Sequence, residues 1–219
     1  MTTIIKNGTI VSSDNHYLSD IKVENGVIVE IASNISSNNA KIIDASGCLV
    51  FPGFIDSHTH FDLDNGFTIS PDNFSTGTSA AILGGTTTIL DFATQNKGET
   101  LTEALRNWHK KADDVSSCDY GFHMAITDWN ESVADEIDIM TAKGVTSYKL
   151  YMAYDSLRLS DDKIYEVLKR VKKYGGVVGV HCENGDLVNI LIKEQLKRNN
   201  TSSAAHPLSR PNFVEAEAI

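Results

Sequence analysis

The chain has 219 residues, of which 41% are hydrophobic and 22% are charged, a balance typical of a globular protein with a buried core rather than of a disordered one. Its formal net charge of -10 would repel nucleic-acid phosphates and anionic lipid headgroups, so we expect no nucleic-acid partner. No apolar run approaches the roughly 20 residues that cross a bilayer, and the N-terminus lacks a signal-peptide pattern. We therefore expect a cytoplasmic protein without a membrane partner.

The first 51 residues predict a small β module. Short apolar segments at 3–6, 9–12, 20–23 and 27–31 have the composition of strands. Asn7-Gly8 and Asn25-Gly26 lie between such segments, and each is predicted to form a hairpin turn because both residue types tolerate positive φ.

After residue 52, short apolar strands alternate with amphipathic helical segments, which predicts βα units around a parallel sheet. The predicted strands cover residues 54–57, 86–92, 120–127, 146–152 and 177–181, and the predicted helices cover 72–83, 101–111, 133–142, 161–174 and 187–197. A (β/α)8 TIM barrel has eight such units in about 250 residues. The predicted fold class is therefore α/β, with the N-terminal strands of a small β-sandwich module in residues 1–51 and about five of eight barrel units in residues 52–219. We expect the chain to be part of a longer protein.

The three cysteines, Cys48, Cys118 and Cys182, form an odd set without CxxC spacing. Such a set provides neither a disulfide framework nor a cysteine zinc site. We predict that they are reduced and mostly buried small residues.

Two histidines end the first predicted barrel strand. His58 and His60 are two residues apart, so a strand places both imidazoles on the same side, where one metal ion could bind both. Active sites of (β/α)8 barrels lie at the C-terminal ends of the strands. We therefore interpret this pair as metal ligands.

Lys149 and His181 occupy the corresponding ends of the fourth and fifth predicted strands. Burial lowers the pKa of a lysine, and the neutral amine can add CO₂ to form a carbamate that bridges two divalent ions. Each residue alone is weak evidence, since a lysine there is more often a surface charge. Their joint placement with His58 and His60 predicts a metal site.

Three other features receive structural interpretations. Asp91 and His123 lie in predicted strands and are expected to form hydrogen bonds at the barrel rim rather than to act in catalysis. Gly84-Gly85 is predicted to end a helix, because no Lys-Ser/Thr pair follows it as in a phosphate-binding loop.

Four segments resemble the dihydropyrimidinase and hydantoinase family of cyclic amidohydrolases. They are PGFIDSHTH at residues 52–60, GGTTT at 84–88, KLYMAY at 149–154 and VHCEN at 180–184. The resemblance covers essentially the whole chain, with the segments in order.

The resemblance implies two divalent metal ions, usually zinc, with His58 and His60 on one ion and His181 on the other. It implies that carbamylated Lys149 bridges the two ions, and that Tyr154 binds the substrate and stabilises the oxyanion. It also implies a further histidine and an acid/base aspartate beyond residue 219, and a homotetramer for the full-length protein. We therefore expect the 219 residues alone to be inactive.

The expected substrate is a small neutral cyclic amide, either a 5,6-dihydropyrimidine or a 5-substituted hydantoin, which is opened to an N-carbamoyl amino acid. Dihydroorotases carry an arginine two residues after the histidine pair, whereas Asp62 stands there and would repel the substrate carboxylate. Residues 63–71, 94–99 and 155–160 are expected to line the pocket. The alternatives are an allantoinase or dihydroorotase-like enzyme and a non-catalytic protein like the collapsin response mediator proteins.

Overall fold

The computed structural model describes residues 1–64 and 68–219, and it divides the chain into two compact units, Met1–Phe54 and Ile55–Ile219. The boundary falls close to Pro52-Gly53, after which the sequence changes to alternating strands and helices. Among the described residues, no helix is long and apolar enough to cross a membrane.

The first unit is a mixed five-stranded sheet. Its strands are β1 (Thr2–Val11), β2 (His16–Glu24), β3 (Val27–Ala32), β4 (Lys41–Asp44) and β5 (Leu49–Val50). The strand order is β3-β2-β1-β4, and β5 pairs with the second half of β1. β2 is antiparallel to β1 and β3, whereas β4 and β5 are parallel to β1. The described residues of this unit thus form one sheet, and the predicted sandwich to which these strands would belong stays a prediction.

Of the two predicted Asn-Gly turns, one is confirmed and one is wrong. Asn25 and Gly26 join β2 to β3 with φ angles of 50° and 82°, as a two-residue hairpin turn requires. Asn7-Gly8 instead lies inside β1, where the register with β2 shifts between Ile5 and Gly8. Asn7 has a φ of 60° at this bulge, so its tolerance of positive φ serves a bulge instead of a turn.

Asp20 of β2 fixes the bulge. Its carboxylate accepts hydrogen bonds from the backbone N–H of Asn7 at 2.9 Å and of Ile35 at 3.0 Å, and its side chain is 4% exposed. The bonds from Ile35 and Asn7 hold the pKa of Asp20 below its ordinary value, against the opposing effect of burial. Asp20 therefore stabilises the fold above its unfolded pKa of about 3.9, and this stabilisation is lost as the pH falls through the lower folded pKa.

We expect Asp20→Ala to destabilise the first unit by about 1–3 kcal/mol at neutral pH, because the buried N–H of Ile35 and the partly buried N–H of Asn7 lose their acceptor. The measurement is the free energy of unfolding in urea, with amide hydrogen exchange of residues 1–54 as the probe. The difference from wild type should shrink as the carboxyl of Asp20 becomes protonated in acid. Asp14→Ala, at an exposed position, is the matched control and should change little. Equal effects of the two variants would contradict the role of Asp20.

The second unit contains a parallel five-stranded sheet whose strands are each followed by a helix. The elements are β6 (Phe54–Thr59), α1 (Phe74–Leu83), β7 (Thr86–Thr94), α2 (Leu101–Ala112), β8 (Asp119–Ala125), α3 (Glu131–Ala142), β9 (Ser147–Tyr151), α4 (Asp161–Lys173), β10 (Val177–His181), α5 (Gly185–Lys197), α6 (Ala205–Leu208) and α7 (Asn212–Ala218). The strand order is β10-β9-β8-β7-β6, which is the order along the chain. This sheet confirms the predicted βα pattern.

The main core lies between this sheet and its helices. Phe74 of α1 is fully buried, and its ring makes edge contacts with Trp108 of α2 and with Phe122 of β8. Leu150 of β9 is also fully buried in this cluster. Burial of about 150–250 Å² by each aromatic side chain makes such residues the main contributors to a core.

The turn after α1 agrees with the sequence, but the burial predicted for the cysteines is partly wrong. Gly84 caps α1, and Gly85 follows with a φ of 88°, as the predicted helix end requires.

All three cysteines are free, but Cys48 is exposed and the other two are half-buried. Cys48 lies in the turn that precedes β5, where its side chain has no core to enter.

Candidate metal centre

The register of the parallel strands places the candidate residues on one face of the sheet. Phe92 pairs with His123, Ala125 with Lys149, and Tyr151 with His181. Residues that pair in register point to the same face, and side chains alternate along each strand. Lys149 and His181 therefore share the face opposite to the helix-packed core, whereas Leu150 points into that core.

His58 and His60 join this face at the end of β6. Their Nε2 atoms lie 3.2 Å apart, and both rings pack against Phe92, with centroid distances of 4.6 and 4.8 Å. Thr59 between them points the other way and is 9% exposed. The predicted convergence of the two imidazoles is therefore present in the structure.

Asp91 of β7 holds the histidine pair in place from behind. Its Oδ2 accepts hydrogen bonds from Thr59 Oγ1 at 2.9 Å and from the backbone N–H of Phe61 at 2.8 Å. Its Oδ1 accepts from the backbone N–H of Phe92 at 2.7 Å, and the residue is fully buried. The predicted structural role of Asp91 is thereby confirmed.

The electrostatics of the pair favour neutral imidazoles. Burial lowers the pKa of His58, and the nearby charge of Lys149 lowers it further. Burial also lowers the pKa of His60, with smaller contributions from His58 and Lys149. Burial likewise lowers the pKa of Lys149 itself, so its neutral amine becomes more accessible. A neutral imidazole is the form that binds a metal ion.

His181 and Tyr154 lie together at the end of β10. Their rings are 5.1 Å apart, and the ring of Tyr151 is 6.4 Å from His181. Tyr154 is 43% exposed and has a φ of 68°, a conformation that tyrosine rarely adopts. Backbone strain of this kind is concentrated at functional sites.

The donor chemistry of these residues fits a divalent cation such as zinc. Two ring nitrogens of the His58–His60 pair lie 3.2 Å apart, and imidazole nitrogen is a preferred zinc ligand. Among residues 1–64 and 68–219, however, no three side chains of the types His, Cys, Asp and Glu converge.

Comparison with known proteins identifies the family. The sequence profile of the amidohydrolase family matches residues 49–208. The chain belongs to the amidohydrolase family. It is 44% identical over 220 residues to the D-hydantoinase of Geobacillus stearothermophilus, covering 100% of this chain and 47% of that protein. It is 46% identical over 220 residues to the dihydropyrimidinase of Dictyostelium discoideum, covering 99% of this chain and 44% of that protein.

Solved structures agree with this assignment. A crystal structure of D-hydantoinase matches this amidohydrolase chain with a TM-score of 0.97 at 44% identity, over 100% of this chain and 48% of the other. The dihydropyrimidinase from Brevibacillus agri NCHU1002 matches with a TM-score of 0.97 at 41% identity, over 100% and 48%. The predicted resemblance to the dihydropyrimidinase and hydantoinase family is thus confirmed. The chain spans about half the length of the curated relatives it matches.

In this amidohydrolase, the loop that carries Tyr154 is hydrogen-bonded to α5. Arg158 donates to Asp186 at 2.8 Å and forms an ion pair with Asp155 at 3.1 Å. Gly185 permits the close approach, because a Cβ there would lie 2.8 Å from the carbonyl oxygen of Met152. These contacts fix the position of the loop beside His181.

The other predicted pocket loops differ in what the structure describes. In the 94–99 loop, Gln95 is buried and accepts hydrogen bonds from the backbone of Thr127 and Asp128. In the 63–71 loop, residues 65–67 lie outside the described residues. The role of these loops in lining a substrate pocket stays a prediction.

Asp62 lies beside the N-terminal end of α1. Its carboxylate accepts a hydrogen bond from the backbone N–H of Phe74 at 3.2 Å, in the first turn of α1. An acid at a helix N-terminus is stabilised by the helix dipole. The repulsion of a substrate carboxylate by Asp62 stays a prediction.

His123 lies on the same face, but both of its ring nitrogens are engaged. Nε2 lies 3.0 Å from the carbonyl oxygen of Ser57 and therefore donates a hydrogen bond, and Nδ1 lies 2.6 Å from Ser147 Oγ. These bonds confirm its predicted structural role.

Sequence reasoning missed Glu183, which contacts His181 at 2.6 Å. Its position two residues after His181 was the sequence feature that could have indicated this contact.

We expect Thr59→Val to destabilise the second unit by about 1–3 kcal/mol, because the buried carboxylate of Asp91 loses a donor. Burial already raises the pKa of Asp91, and loss of the bond from Thr59 raises it further. The destabilisation should therefore be full above the folded pKa, where Asp91 is ionised, and smaller in acid. Urea unfolding at several pH values is the measurement. Thr87→Val, at an exposed position of β7, should stay within about 0.5 kcal/mol of wild type.

Proposed function

We propose that this chain provides the first part of the active site of a cyclic amidohydrolase. The reaction is the opening of 5,6-dihydropyrimidines or 5-substituted hydantoins to N-carbamoyl amino acids. The observation that carries the proposal is the pair of Nε2 atoms of His58 and His60, 3.2 Å apart, on the sheet face that Lys149 and His181 share. The names of the relatives, D-hydantoinase and dihydropyrimidinase, support the substrate class.

The proposed cofactor is a pair of divalent metal ions, with zinc as the first choice. His58 and His60 would hold one ion, His181 the other, and carbamylated Lys149 both. When bound, such ions supply Lewis-acid polarisation of the substrate carbonyl and a water molecule of lowered pKa.

Lys149 and Tyr154 have distinct proposed roles. The neutral amine of Lys149 adds CO₂, which forms an N–C bond and releases one proton, and the product is an anionic carbamate with two oxygen donors. Burial supports this step because it lowers the pKa of the amine. The hydroxyl of Tyr154 donates a hydrogen bond to the substrate carbonyl oxygen as negative charge develops there.

A neutral ring is favoured over the dihydroorotate-type alternative. Asp62 stands where dihydroorotases carry an arginine that binds the substrate carboxylate. The similarity to a solved dihydroorotase, with a TM-score of 0.59 at 14% identity, supports the shared fold alone. Allantoinase activity remains the alternative within the same reaction class.

The proposal extends to the protein that contains these residues. We propose a closed eight-unit barrel with a β-sandwich module, a homotetramer and a cytoplasmic location, all of which rest on the resemblance to the family. Residues 1–219 alone are proposed to be inactive. This also rests on the resemblance, which implies a further histidine ligand and an acid/base aspartate outside these residues.

The substrate assignment is tested on the protein expressed from its complete reading frame. Ring opening of dihydrouracil and of 5-phenylhydantoin, followed by ultraviolet absorbance, is expected, and dihydroorotate should not be cleaved. His58→Ala should abolish the activity, whereas His16→Ala, at an exposed position of β2, should leave it unchanged. The 219-residue chain is expected to show no turnover. Cleavage of dihydroorotate without cleavage of either neutral ring would contradict the assignment.

The metal assignment is tested by elemental analysis of the same protein. About two divalent ions per chain are expected in wild type, as in two-metal hydrolytic sites. Lys149→Ala should lose most of the metal, because the bridging oxygen donors disappear. Lys193→Ala, at an exposed position of α5, is the matched control. Full retention of metal by Lys149→Ala would refute the carbamate bridge.

A further inference from the structure

Glu183 bonds directly to the imidazole of His181. Its Oε2 lies 2.6 Å from His181 Nε2, and the glutamate side chain is 15% exposed. An ionised carboxylate only accepts hydrogen bonds, so Nε2 must carry the hydrogen. In a neutral ring the lone pair then lies on Nδ1, which has no hydrogen-bond partner in the ranges that the structure describes.

Arg210 holds the other oxygen of the same carboxylate. Its Nε lies 3.6 Å from Glu183 Oε1, and the arginine side chain is 18% exposed. The guanidinium is itself tied down, since Nη1 lies 3.1 Å from Ser209 Oγ and 3.3 Å from His206 Nδ1. The carboxylate of Glu183 therefore has His181 on one oxygen and the positive charge of Arg210 beside the other, which favours this orientation.

The segment that supplies Arg210 is anchored beside the end of β10. The backbone N–H of Asn184 donates to the carbonyl oxygen of Val214 at 3.0 Å. The side-chain amide of Asn184 donates to Glu217 Oε2 at 2.7 Å. Asn184, the residue after Glu183, is thus bonded to the segment that follows Arg210.

We propose that Glu183, oriented by Arg210, is a positioning residue that holds His181 in the Nε2–H tautomer and leaves Nδ1 available to a divalent metal ion. This inference rests on the proposed function, which assigns His181 as a ligand. Histidine ligands commonly donate their second ring N–H to a carboxylate, and loss of such a partner lowers metal affinity by about 10- to 100-fold.

The tautomer is measured without metal, from the ring ¹⁵N chemical shifts of His181 in the 219-residue chain. In the wild-type chain we expect a protonated Nε2 and an unprotonated Nδ1. Glu183→Gln should keep this tautomer, because the amide oxygen still accepts from Nε2–H. Glu183→Ala should give a mixture of tautomers. Glu194→Ala, on the surface of α5, should match wild type.

Three results would overturn the positioning role: a wild-type His181 protonated on Nδ1, a doubly protonated ring, or an unchanged tautomer in a folded Glu183→Ala. Far-ultraviolet circular dichroism establishes folding. If Glu183→Ala does not fold, Arg210→Met replaces it, because it releases the carboxylate while leaving it in the chain. Arg210→Met is then expected to give a partial mixture, and an unchanged tautomer would again overturn the role.

Zinc affinity separates this inference from the proposed function. In the protein from the complete reading frame, competition with a chromophoric chelator should show a loss of about 10- to 100-fold for Glu183→Ala and none for Glu194→Ala. A wild-type protein that binds no zinc would contradict the proposed function, and the tautomer measurement would still decide on Glu183. Equal zinc affinity of wild type and Glu183→Ala would refute the positioning role alone.

Discussion

The candidate site depends on the register of the parallel strands β7 to β10. Each paired position places two side chains on the same face, so Lys149 and His181 share a face with Phe92, against which His58 and His60 pack. A slip of one residue in β9 would turn Lys149 towards the helices and move the buried Leu150 out of the core. The core therefore fixes the register, and the register assembles the site.

Buried or largely buried carboxylates fix the chain where regular pairing is interrupted or ends. Asp20 holds the bulge of β1, Asp91 holds the residues around Thr59, and Glu183 holds the ring of His181. The donor to Asp20 is the N–H of Asn7 at the bulge, and the donor to Asp91 is the N–H of Phe61 just after β6. The donor to Glu183 is the ring of His181 at the end of β10. A carboxylate can accept several hydrogen bonds at once, which suits it to segments whose backbone groups lack partners in a ladder.

Partial burial also affects the chemistry of the site. Burial lowers the pKa values of His58, His60 and Lys149, which shifts each group towards the neutral form that a metal site or a carbamate requires. Tyr154 retains a strained backbone beside His181 because its loop is fixed by Arg158. The packing of this face therefore also shifts the pKa values of its titratable side chains.

The sequence by itself determined the elements and the candidate ligands. Strands and helices follow local hydrophobic patterns, and His58, His60, Lys149 and His181 could be placed at strand ends from those patterns alone. The metal chemistry expected of them came from the resemblance to a family, since each residue type has common structural uses.

Only the tertiary structure decided which partners these residues have. Asn7-Gly8 became a bulge because Asp20, 13 residues away, bonds to Asn7. The contact of Arg210 with Glu183 joins residues from separate elements, and nothing in the local pattern of either one predicts it. Local periodicity specifies which face a side chain takes, whereas hydrogen bonds between distant segments depend on how the elements pack, and packing is a property of the whole chain.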